Sequence, residues 1–189
     1  MQIYTAAEAK IKKIEIQSRI AKGDIFIHPT DTIYGIGCNA LISKAVEKIR
    51  QLKQRPITPF SVMVPSVDWI RENCMITRQA EKYLKELPGP VTLILRTKNE
   101  PVAPEVVPED STLGIRIPDH WFHKIIKELD IPIITTSVNK VGKSFMTSLN
   151  DIDPEIKKGI DFAIDEGKKE GRPSKIIHLE AEKVKVKER

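Results

Sequence analysis

Cysteine is scarce, with Cys38 and Cys74 the only two positions in 189 residues. A chain of this size can bury enough core to fold without covalent staples, so a disulfide framework is excluded and both thiols are expected to be reduced and structural. Long apolar runs are missing too. None approaches the roughly 20 residues that a membrane span needs, which excludes an integral helical membrane protein. The N-terminus, MQIYTAAEAKIKK, lacks the apolar stretch and small-residue cleavage site of a secretory signal, and a cytoplasmic location is expected. No internal repeat or low-complexity linker divides the chain, so one domain over residues 1–189 is expected.

Familiar catalytic signatures are also missing. Gly142-Lys143-Ser144 resembles the end of a P-loop, but such a loop needs a glycine five residues before Gly142, where Ser137 stands. There is no nucleophile elbow, no HExxH and no paired-cysteine spacing. His28, His120, His123 and His178 are scattered, so each reads as a packing or surface residue, and no metal site made by the protein is expected.

Charge is present in moderate excess: 31 basic against 26 acidic residues, a net +5. This favours anionic partners. Much of the excess lies in KIKKIE, EIKKG and EKVKVKER, where lysines read as the wet face of amphipathic elements.

Hydrophobic periodicity supplies the framework. Thr5 and Glu8 have capping-box spacing, and Ile11, Ile14, Ile16 and Ile20 follow up to Gly23, which predicts one helix. Residues 24–28 read as a short strand. A second helix is predicted over Ser43–Lys53, with Ala45, Val46, Ile49 and Leu52 on one side. FSVMV reads as a strand, with helices at residues 67–73 and 77–87. VTLILR, LGIRI and IPIITT read as buried strands, with a helix over 119–129 between the last two. DFAID, KIIHLE and KVKVK add strands near the end. The whole predicts a mixed α/β (α+β) domain around a twisted mixed sheet flanked by helices. The most irregular piece, residues 97–111 with prolines at 101, 104 and 108, suits a surface excursion.

Polar residues cluster directly after the apolar strands. Thr30, Asp31 and Thr32 follow the first strand, Lys53 and Arg55 follow the second helix, Arg116 sits in LGIRIPDH, and Ser137 and Asn139 follow IPIITT. Strand ends are where open α/β sheets place ligands. Four such loops without a pair of catalytic carboxylates suggest a site that binds anions through cations, hydroxyls and amides.

HPTDTIYGIGCNA resembles the P-T-D/E-T-x-Y-G-L-G signature of the YrdC/TsaC proteins, the threonylcarbamoyl-AMP synthases. The resemblance continues through KQRPITPFSVMV, PGPVTLIL, GIRIPDH, TTSVNKVGKS and GRPSKIIHL, six motifs in the family's order along nearly the whole chain. It implies a YrdC-like fold with a concave, positively lined cavity. It also implies conversion of L-threonine, bicarbonate and ATP, with Mg2+, into threonylcarbamoyl-AMP and pyrophosphate. The product would feed a separate transferase complex that modifies tRNA.

Carried onto this sequence, the resemblance assigns Thr30, Arg116 and Ser174 to threonine. Lys53, Arg55, Ser137 and Asn139 fall to the nucleotide, with Lys53 and Arg55 catalytic. Asp31 reads as either a capping or a metal-directed carboxylate, with capping favoured, and Tyr34 as packing beneath Thr30. Gly35 and Gly37 would allow close backbone approach. Val138, Thr58 and Lys175 depart from the family pattern; Arg189 stands where many members carry an arginine-containing nucleotide loop, and no C-terminal extension domain is expected. Two other readings compete. One is a structured-RNA-binding module without catalysis; the other is a related carbamoyl-adenylate enzyme acting on another amine.

Overall fold

In the computed structural model, which describes residues 1–107, 111–140, 144–181 and 184–188, Thr5 ends one strand and caps the helix that follows. Its Oγ1 accepts from Glu8 N at 3.2 Å, while Glu8 Oε2 accepts from Thr5 N at 2.8 Å, so two otherwise orphaned amides are satisfied. The strand is β1 (Gln2–Thr5), too short to show in the sequence. The predicted single helix is two, α1 (Ala6–Ile11) and α2 (Lys13–Lys22), broken at Lys12. Ile16 and Ile20, four apart on one face, are buried, whereas Ile11 and Ile14 beside the break are exposed. Gly23 ends α2 in the left-handed conformation at φ 95°, which costs glycine nothing.

The chain continues through β2 (Phe26–His28), β3 (Gly35–Gly37), α3 (Ser43–Lys53), β4 (Ser61–Met63), α4 (Val67–Asn73) and α5 (Arg78–Leu84). Then come β5 (Val91–Arg96), β6 (Thr112–Arg116), α6 (Trp121–Leu129), β7 (Ile133–Ile134) and β8 (Thr136–Ser137). The last elements are α7 (Pro154–Lys158), β9 (Phe162–Asp165), β10 (Lys175–His178) and β11 (Lys185–Lys187). Gly142, Lys143 and Arg189, noted in the sequence, lie outside the described residues.

The strands form two mixed sheets, ordered β1-β9-β2-β3-β8 and β11-β10-β5-β6-β4-β7. IPIITT, predicted as one strand, serves both. Ile133–Ile134 pairs with β4 in the second sheet, and Thr136–Ser137 pairs with β3 in the first. Thr135 marks the crossing, its N–H donating to Ser61 O at 2.9 Å.

One apolar cluster joins Ile27 and Ile36 of the first sheet to Val62, Leu93 and Ile115 of the second, closed by Val46 and Ile49 of α3. Another packs Ile16 and Ile20 of α2 and Phe122 and Ile126 of α6 against Phe26 and Phe162. Each buried Ile or Phe contributes about 1.5–3 kcal/mol. Cys38 and Cys74 are free and buried, and burial raises both thiols' pKa.

The proline-rich segment is not a plain surface excursion. Val102, Ala103 and Val106 are buried in the main cluster, and Ala103 N donates to Ala40 O at 2.8 Å. Its prolines demand no amide partners, so the segment can enter the core without a ladder. No helix among the described residues is long and apolar enough to cross a membrane.

Candidate active site

The strand-end loops converge on one cavity of about 290 Å3. Thr30, Arg55, Arg116, Ser137, Asn139 and Ser174 line it, all of them singled out from the sequence. Among the described lining residues, the charged groups are Arg55 and Arg116, and no carboxylate is present.

Thr30 is set by its own tight turn, in which Oγ1 accepts from Thr32 N at 3.1 Å and donates to Ile33 O at 2.7 Å. Its one hydroxyl proton is thereby spent. Thr32 Oγ1 therefore donates across the 3.0 Å contact to Thr30 and accepts from Arg116 Nη2 at 3.3 Å. Arg116 Nη2 also donates to Asp31 Oδ1 at 2.8 Å, and Asp31 Oδ2 accepts from Asp119 N at 3.1 Å. Asp31 is thus the partner of Arg116 rather than a cap of its own loop. Both side chains are about nine-tenths buried, so the pair is held at fixed geometry.

Tyr34 is buried and ties the floor to the 166–167 turn. Its hydroxyl donates to Gly167 O at 2.7 Å and accepts from Glu166 N at 2.9 Å, and burial pushes its pKa to about 12. Gly35 and Gly37 do permit close approach. A Cβ on Gly35 would stand 2.8 Å from His28 Nε2, and one on Gly37 would stand 2.6 Å from Ile134 O. Burial would raise the pKa of Glu166, but hydrogen bonds from Lys169, Trp121 and, at 2.9 Å, His120 outweigh it and draw the value down to about 2. His120 Nδ1 accepts from Phe122 N, so the ring is neutral with its proton on Nε2 toward Glu166. His120 is therefore a helix cap and strap anchor.

Lys53 is the predicted residue that the structure does not bring into the lining. It is buried behind the wall, where its ammonium donates to Ser137 O and, at 2.7 Å, to Asn139 O. Burial, with repulsion from Arg55, lowers its pKa to about 7. Ser137 Oγ donates to Asn139 Oδ1, so side chains and lysine together set this loop.

Of the departures from the family pattern, Val138 is buried in the core, Thr58 gives its carbonyl to Arg50 and Arg55, and Lys175 pairs with Glu188 at 3.3 Å. None lines the cavity. Sequence reasoning missed Thr92, Thr135 and Phe145, which do. Thr92 carried a signal, a hydroxyl in an otherwise apolar strand, and its Oγ1 lies 2.7 Å from Ser174 Oγ. Phe145 carried none, being a lone aromatic in a loop.

A family profile named Sua5_yciO_yrdC and described as telomere recombination matches residues 18–189. A Methanocaldococcus jannaschii protein, provisionally named threonylcarbamoyl-AMP synthase, is 41% identical over 190 residues, covering 97% of this chain and 89% of that one. Pyrococcus abyssi Sua5, solved in complex with L-threonine, superposes with TM-score 0.84 at 28% identity. The match covers 98% of this chain, which spans 56% of the Sua5 chain. Escherichia coli YciO has TM-score 0.83 at 24% identity, covering 98% of this chain and 93% of that one, a likeness of fold. With the profile spanning residues 18–189 and a relative at 41% identity over nearly its full length, the chain belongs to the Sua5/YciO/YrdC family.

Proposed function

We propose that this protein is a cytoplasmic enzyme that joins L-threonine, bicarbonate and ATP into threonylcarbamoyl-AMP, releasing pyrophosphate. The observation that carries the reading is the meeting, in one cavity, of the Thr30, Arg116 and Ser174 group with the Arg55, Ser137 and Asn139 group. The relatives' names and the threonine complex of the Pyrococcus protein support it.

The chemistry suits these residues. Threonine's amine condenses with bicarbonate to a carbamate, losing water, and a carbamate oxygen attacks the α-phosphorus of ATP as pyrophosphate leaves. The nucleophile comes from substrate, so the enzyme's work is to align two anions and offset their repulsion. Arg116 pairs with the threonine carboxylate, beside the hydroxyls of Thr30 and Ser174. Arg55, Ser137 and Asn139 face the nucleotide, with Lys53 acting through the backbone of their loop and through its charge. Mg2+, carried in on ATP, would supply charge neutralisation at its phosphates. Among the described lining residues there is no carboxylate to hold it, which supports a reading in which the nucleotide is its carrier. The product, a reactive mixed anhydride, then passes to a separate transferase acting on tRNA.

Incubating the protein with ATP, Mg2+, bicarbonate and threonine tests this directly. Pyrophosphate release that requires both threonine and bicarbonate, with threonylcarbamoyl-AMP found by mass, is the expected outcome. Turnover without a threonine requirement would point to another amine. Absence of ATP binding, with salt-sensitive RNA affinity, would point to an RNA module.

A further inference from the structure

Arg55 reaches the cavity on a loop shaped by a cation that the cavity itself does not contain. Arg50 lies on α3 one turn before Lys53 and is 8% exposed. A guanidinium buried there needs acceptors for its five N–H groups. Among the described residues its hydrogen-bond partners are all main-chain carbonyls. Nε donates to Glu105 O at 2.6 Å, and Nη2 to Val106 O at 3.3 Å. Nη1 is shared among Arg55 O at 2.8 Å, Pro56 O at 3.0 Å and Thr58 O at 3.2 Å.

Those carbonyls belong to two separate stretches, the loop that carries Arg55 and the proline-rich segment. Phe60 closes the arrangement. Its N–H donates to Val106 O at 3.0 Å, and its ring lies beneath the Arg50 and Arg55 guanidinium groups at 4.6 and 5.0 Å. Arg55 and Phe60 both line the cavity. One fork of donors therefore fixes the curl of the loop, and with it the Thr58 and Pro59 carbonyls to which the Arg55 guanidinium donates. A lysine, with a single nitrogen, cannot span both sets of carbonyls.

We propose that Arg50 is a positioning residue for the nucleotide side of the cavity, aligning Arg55 and Phe60 for the phosphates without touching substrate. This rests on the synthase reading above. A residue that merely stabilised the fold would weaken both substrates alike, whereas Arg50 acts on one side.

The test compares the unaltered protein with Arg50→Lys and Arg50→Met. The measurements are calorimetric titration with a non-hydrolysable ATP analogue and Mg2+, KM for ATP and for threonine, and thermal unfolding. Affinity for the analogue is expected to fall about tenfold in Arg50→Met, with threonine KM changed by no more than about twofold. Arg50→Lys, which keeps the charge but not the fork, is expected to recover only part of the loss. Equal affinity in all three proteins overturns the inference, and so does equal weakening toward ATP and threonine. If the unaltered protein does not bind the analogue, the synthase reading falls and this inference with it. If it binds and the folded variants bind equally well, this inference alone falls.

Discussion

Arg116 Nη2 and Asp31 Oδ1, 85 residues apart in sequence, meet at 2.8 Å in a pair about nine-tenths buried. Asp31 is held in turn by Asp119 N, so the guanidinium is aimed before any substrate arrives. Arg116→Lys keeps the charge but loses the planar fork. Threonine KM is expected to rise about 100-fold while ATP KM moves no more than about threefold. Steady-state kinetics with each substrate varied in turn decides the matter, and equal losses would remove Arg116 from the carboxylate site.

Lys53 makes stability depend on alkaline pH. Its proton is bound more weakly in the folded chain, with a pKa of about 7, than in the unfolded chain, near 10.5. Between those values the unfolded state holds the extra proton, so raising the pH stabilises the fold. Relative to Lys53→Met, the native protein is expected to gain about 1.4 kcal/mol per pH unit across that window and nothing beyond it. The neutral amine still has two N–H groups for the Ser137 and Asn139 carbonyls, so the loop should stay in place. Denaturant titrations through the window measure the slope. Turnover of Lys53→Met at saturating threonine is expected to drop, and an unchanged rate would end its role in the reaction.

Gly171 bears on how the 166–174 segment seats against the floor. A Cβ there would stand 2.2 Å from Thr32 O and 3.0 Å from Thr32 Cα, a clash of backbone with backbone that no rotamer can relieve. Gly171→Ala is expected to cost about 1–3 kcal/mol in stability. It should also raise threonine KM, because the same segment carries Ser174. A normal melting temperature with a normal KM would show the segment free to retreat without consequence.

His28 governs part of the acid limb. Its ring is buried and stacked on Phe122 at 5.0 Å, and burial lowers its pKa from 6.5 to about 3. As the pH falls through that window the unfolded chain takes up a proton that the folded chain refuses, and stability is lost. The loss is expected to be about 1.4 kcal/mol per pH unit, absent in His28→Leu. His120 and His123 titrate in the same direction, so the comparison is of slopes between the two proteins rather than of midpoints. Parallel slopes would show that His28 accepts a proton in the folded state.

Much of this protein was legible from short-range pattern. The Thr5 capping box, the apolar face of α3 and the apolar runs of β5 and β6 are dictated by neighbours within a few residues, where period and capping chemistry act. The same holds for the polar residues of the four strand-end loops, five of which line one cavity. Periodicity misled where a long-range partner decided the outcome. Ile11 and Ile14 fit a helical stripe, yet the break at Lys12 leaves them in water. Residues 97–111 read as surface because of their prolines, yet Val102, Ala103 and Val106 had a core to enter.

What the sequence determined by itself was most of the elements, their chemistry, and the loops that carry cations, hydroxyls and amides. Tertiary structure decided which partner each polar group would meet. IPIITT is one apolar run in sequence, but it changes sheets at Thr135 because β4 and β3 each offer it an edge, and that crossing delivers Ser137 and Asn139 to the cavity. Lys53 was expected at the phosphates and instead spends its ammonium on the Ser137 and Asn139 carbonyls. Asp31 was read as a local cap and instead pairs with Arg116. The reason is common to all three. A buried donor or acceptor must be satisfied, and when its partner lies tens of residues away no local pattern records the bond.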